Sequence, residues 1–143
     1  MRALLDVNVW IALLDDAHVF SERANAWLRD EDAAIATCPI VENGVIRIMS
    51  SPAYSREVTL APGEVAAHLR KACSQLDHEF WPASLSLRDE ERFDFSRLHG
   101  HRQITDAYLL ALAVRHDGRL VTLDSAVSLA AVRGAARKHL LKL

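Results

Sequence analysis

The stretch HRQITDAYLLALAVRHDGRLVTLD, residues 101–124, decides how this chain folds. Thr105 stands where it can cap a helix running from Asp106 to about His116, and Gly118 can end that helix. The apolar run that follows predicts a strand over 119–123, closed by Asp124. The start of the chain repeats the pattern. Residues 2–5 read as a buried strand and Asp6 follows it. Val9, Trp10, Ile11, Leu13 and Leu14 then continue as a helix over 8–14. Each strand of these two units leads to a carboxylate.

The segments between them extend the alternation. Ser21 can cap a helix reaching about residue 31, and residues 33–37 form the next apolar run. Pro39 suits the first position of a helix that carries Glu42, Val45, Ile46 and Met49, and Ser51-Pro52 should stop it. Val65, Leu69, Ala72 and Leu76 mark a helix over roughly 62–77. Phe80-Trp81 suggests a short strand before Pro82. The polar stretch from Leu87 to Gln103 suits helical turns, a short helix is expected from Ala126 to Ala131, and His139-Leu140-Leu141 suggests a last strand. Strands alternating with helices imply βαβ units, hence an α/β fold with a central parallel sheet of about five strands flanked by helices. The 143 residues suit a single domain, 1–143.

In such a fold ligands gather beyond the carboxyl ends of the strands, where the strand order reverses. The predicted elements send Asp6, Glu42 and Asp124 toward that edge, and Asp106 arrives there from a helix start. Singly, Asp6 and Asp106 could be helix caps or first-turn charges, Glu42 an exposed helix residue and Asp124 a turn residue. Together they form a set whose members repel one another unless a cation holds them. Oxygen ligands of this kind select Mg²⁺ or Mn²⁺. Asn8 follows Asp6 closely enough to orient it through a hydrogen bond. Thr105 and Thr122 each place a hydroxyl near a carboxylate.

The net charge is −2, so any grip on nucleic acid comes from a local patch or a metal. Arg102 and His101, with Arg97 and His99 just before them, form a basic cluster ahead of Asp106, and Arg47 shares the Glu42 helix. These are candidate phosphate contacts, weighed evenly against a solvated loop. Cys38 and Cys73 make no zinc-like pattern and suit two buried, reduced thiols in a cytoplasmic protein. No signal peptide is legible, and no apolar run approaches the roughly 20 residues that span a bilayer. Trp10, Trp27 and Trp81 suit core packing better than base stacking. Asn8 stands where an aspartate-nucleophile phosphatase would want a second aspartate, and no G-x-G-x-x-G follows the first strand.

Three segments carry a family resemblance: LLDVNVWIALLD at 4–15, CPIVENGVIRIMSSPAY at 38–54 and GHRQITDAYLLALAVRHDGRLVTLD at 100–124. Together they resemble PIN-domain ribonucleases, and more closely the toxins of VapBC toxin–antitoxin systems. The resemblance implies a PIN-like three-layer sandwich. It places the family's metal-binding acids on Asp6, Glu42, Asp106 and Asp124, with Asn8 and Thr105 as supporting polar positions. It further implies Mg²⁺ or Mn²⁺, an RNA substrate, a VapB-type antitoxin whose tail blocks the cleft, a homodimer, and arrest of translation and growth until the antitoxin binds. A fold of this type that binds RNA or protein without cutting is the alternative.

Overall fold

The computed structural model describes residues 1–143. Its elements are β1 (Ala3–Leu5), α1 (Val7–Leu14), α2 (Ser21–Asp30), β2 (Ile35–Thr37), α3 (Pro39–Met49), α4 (Pro62–Gln75), β3 (His78–Phe80), α5 (Ile104–Arg115), β4 (Arg119–Thr122) and β5 (Leu140–Lys142). The five strands form one sheet in the order β3-β2-β1-β4-β5, and every pairing is parallel. β1 is central, and its three residues are fully buried because both faces are covered.

The chain winds outward from β1 through β2 to β3, then crosses back to β4 and β5. Right-handed crossovers therefore put α5 on the face opposite α1–α4. The packing agrees: α1, α3 and α4 contact one another, whereas α5 packs on β1 and β4. This is the three-layer α/β sandwich expected from the sequence. The strand order reverses between β1 and β4, so a crevice opens where those two strands end.

Two glycines set close approaches. A Cβ on Gly44 of α3 would lie 2.6 Å from a Val7 methyl, so the glycine lets α3 lie against the start of α1. A Cβ on Gly118 would lie 2.7 Å from both the Arg2 carbonyl and the Trp81 ring. Gly118 was expected as the helix stop. The left-handed turn after α5 is taken instead by Asp117, at φ 48°, and Gly118 serves packing. Trp10 and Trp81 are buried, and Trp27 packs on the core at partial exposure. Trp81 also stacks on His116 with ring centroids 4.2 Å apart.

Some boundaries differ from expectation. Ser21 is the first residue of α2 and makes no capping bond, because Phe20 occupies the cap position. β3 is His78–Phe80, set by its pairing with β2, and Trp81 turns into the core beyond it. Thr105 does not cap α5. A 3₁₀ turn over His101–Gln103 runs straight into the helix, which begins at Ile104 and leaves Thr105 and Asp106 in its first turn. Only Leu129–Ala131 forms a helical turn in the 126–131 segment. Cys38 is buried as expected, while Cys73 is only partly so.

Candidate active site

Asp6 leaves the end of β1 with its backbone N–H donating to the Val121 carbonyl of β4 at 2.9 Å. One carboxylate oxygen accepts from the Val7 N–H at 2.7 Å and so caps α1. The other accepts from the Thr122 hydroxyl at 2.8 Å, across the two central strands. The same hydroxyl accepts the Asp124 backbone N–H at 3.0 Å. Asp124 in turn accepts from the Ala126 N–H at 2.7 Å. Thr122, fully buried, thus ties two carboxylate-bearing strand ends together. The sequence offered it only as a hydroxyl beside Asp124; its reach to Asp6 is a product of strand adjacency.

Asp106 joins from the first turn of α5. Asp6, Asp106 and Asp124 line one cleft of about 520 Å³, with Asn8, Thr105, Arg47 and Arg102 also on its wall. The electrostatics record the crowding. Burial first, then the neighbouring charges of Asp6 and Asp124, push the Asp106 carboxyl up to about 6. Burial also raises Asp6, against the lowering pull of Thr122 and Val7 and with a smaller upward push from Asp124. No arginine, lysine or histidine side chain stands within ion-pair distance of any of the three. As they lie, no three His, Cys, Asp or Glu side chains of the protein stand close enough together to hold a metal ion. Three carboxylates lining one cleft with no side-chain cation beside them leave negative charge that a divalent cation with oxygen preference would offset.

The structure does not bring Glu42 into this cleft. Its carboxylate accepts from the Thr37 hydroxyl at 2.7 Å and faces the groove between α3 and α4, beside Cys73 and His78. The Thr37 proton goes to Glu42, so the 2.8 Å contact with His78 requires the His78 Nε2–H as donor. Burial lowers the His78 imidazole, against the pull of Glu42. Helix geometry explains the separation. Glu42 and Arg47 are five residues apart, hence about 140° apart around the helix, so both cannot face one cleft. Asn43, four residues before Arg47, lies on the cleft face instead.

Asn43 is a site residue that the sequence reading missed; its spacing to Arg47 was the available signal. Gln103 is another. It accepts from the His99 N–H at 2.7 Å and donates to the Ala126 carbonyl at 3.1 Å, bracing the loop that carries Arg102. No local pattern marks it, because its partner lies 23 residues away. His101 is exposed and is not on the cleft wall.

The PIN domain family profile matches residues 3–133. The chain belongs to the PIN-domain family. Within it, this PIN domain is similar to Ribonuclease VapC44 of Mycobacterium tuberculosis (strain ATCC 25618 / H37Rv), 48% identical over 144 residues that cover 100% of both chains. It is also similar to Ribonuclease VapC29 of the same strain, 39% identical over 132 residues and 90% of each chain. These full-length likenesses put the PIN domain among the VapC proteins. The crystal structure of VapBC2 from Rickettsia felis bound to a DNA fragment from their promoter shares its fold. There the TM-score is 0.53 at 18% identity, covering 88% of this chain and 90% of that one.

Proposed function

We propose that this chain is a metal-dependent endoribonuclease, the toxin of a toxin–antitoxin pair, that hydrolyses phosphodiester bonds in RNA. The observation that carries the reading is the meeting of Asp6, Asp106 and Asp124 in one cleft without a side-chain cation among them. The VapC relatives, ribonucleases by name, agree with it.

Asp6, Asp106 and Asp124 would hold Mg²⁺ or Mn²⁺, which when bound supplies a lowered water pKa and charge stabilisation for phosphodiester hydrolysis. The chain's own part is positioning. Thr122 orients Asp6 and the Asp124 backbone through one hydroxyl. Asn8 and Thr105 offer neutral polar groups on the same wall, where they can hold water without adding charge. Arg47 and Arg102, exposed on the cleft rim, suit contact with RNA phosphates on either side of the cut. Asn43 offers an amide from α3 where the sequence reading had placed the fourth acid. Glu42 stands outside the ligand set in this reading.

A VapB-type antitoxin would silence the enzyme by covering the cleft, and a homodimer is the assembly we expect. No helix is long and apolar enough to cross a membrane; with its two free cysteines, the protein suits work on RNA in the cytoplasm. The decisive experiment is cleavage of RNA by the purified chain with Mg²⁺, with EDTA, and in the Asp6→Asn and Asp106→Asn variants. We expect metal-dependent cleavage that either substitution lowers at least about a hundredfold. Full activity in a well-folded Asp106→Asn protein would overturn the reading.

A further inference from the structure

A second groove opens beside the acid cleft and shares Asn8 and Asp124 with it. Its volume is about 460 Å³, and its other walls are His18, Val19 and Phe20 from the turn between α1 and α2, and Leu123 and Ser125 after β4. Val19 is 84% exposed and Phe20 39% exposed, and neither packs on the hydrophobic core. Local bonding holds the turn in shape. The Phe20 N–H donates to His18 Nδ1 at 3.1 Å, which leaves the proton of a neutral His18 on Nε2. The two rings lie 6.0 Å apart at 42°, so neither covers the face of the other.

The acid row therefore has two unlike flanks. On one lie the guanidinium groups of Arg47 and Arg102. On the other lie an open aromatic ring and two aliphatic side chains, edged by the polar groups of Asn8 and Ser125. A polynucleotide has the matching asymmetry, an anionic backbone and flat aromatic bases. We propose that this groove seats an unpaired nucleobase adjoining the cut phosphodiester, stacked on Phe20, with Asn8 and Ser125 placed to meet the base edge. The inference rests on the ribonuclease reading above and adds one contact to it: the Phe20 ring against the base beside the cut.

The test compares Phe20→Ala and Phe20→Trp with the parent chain. Binding is read in the cleavage-deficient Asp106→Asn background, using a labelled single-stranded RNA 10-mer and an abasic ribose-phosphate chain of equal length. Losing one stacking surface should weaken RNA binding roughly tenfold. Binding of the abasic chain should stay unchanged. Phe20→Trp should retain RNA binding, with its added indole emission quenched on RNA addition but not on abasic addition. Exposed Phe20 lies outside the core, so thermal midpoints should match the parent. Equal effects on both oligomers, or none on either, would overturn the proposal. So would a Phe20→Ala chain that binds RNA normally but loses self-association, because that result assigns the face to a protein contact. A parent chain that cuts RNA while Phe20→Ala cuts it equally well sinks this proposal alone. A parent chain that never cuts RNA sinks the ribonuclease reading beneath it.

Discussion

Helix α3 separates two acidic sites that differ in one respect. On one side Asp6, Asp106 and Asp124 share a cleft with no cationic partner among them, and burial first, then the charges of Asp6 and Asp124, lift Asp106 to about 6. On the other side Glu42 is satisfied by Thr37, which also takes the His78 N–H. A threonine hydroxyl donates to a carboxylate in both places, but three carboxylates are crowded together in one and a single one stands in the other. Several carboxylates gathered in one cleft point to metal chemistry when the fold sets no side-chain cation among them.

Substitution on each side of α3 tests that contrast. Asp124→Asn should lower metal-dependent RNA cleavage at least about a hundredfold, whereas Glu42→Gln should stay within about threefold of the parent and lose roughly 1 kcal/mol of stability. Comparable losses of cleavage in both variants would return Glu42 to the catalytic set. Gly44→Ala, which forces a methyl toward Val7 where α3 meets α1, should cost about 1–3 kcal/mol in a denaturant titration. A neutral result there would show that the two sites can move apart freely.

The smallest effect is a pH dependence. Asp106 titrates at about 6 in the fold against an ordinary 3.8. Between those values the folded chain holds a proton that the unfolded chain has released, so stability without metal falls as pH rises through that window. Asp106→Asn should flatten the fall and leave the metal-free variant about 1 kcal/mol more stable than the parent at pH 7, after allowance for solvent screening. Parallel thermal melts at pH 4.5 and pH 7 in EDTA check it. An unchanged parent slope in the variant would mean that the acid row is already neutralised from within.

Elements with strong apolar periodicity were legible before any coordinates. β1, β4, α3 and α4 fall where the sequence puts them because each has a buried run and a clear stop. The errors sit where long-range pairing decides. β3 took its limits from β2, and α5 began early because the 3₁₀ turn over His101–Gln103 runs straight into it. Asp6, Asp106 and Asp124 meet in one cleft because each adjoins a well-marked terminus at the switch point. Glu42 lies off the cleft because being on the right helix does not specify the right face, and Asn43, which lines it, drew no notice for its lack of charge.

The sequence by itself determined the parallel α/β alternation, since buried apolar runs can be satisfied in few ways once helices separate them. It also determined that Asp6, Asp106 and Asp124 follow strand ends or open a helix. Only the tertiary structure decided which carboxylates share a cleft. Where a carboxylate points depends on hydrogen-bonding neighbours such as Thr37 for Glu42, or Thr122 for Asp6 across 116 positions of chain, and sequence distance carries no record of the latter.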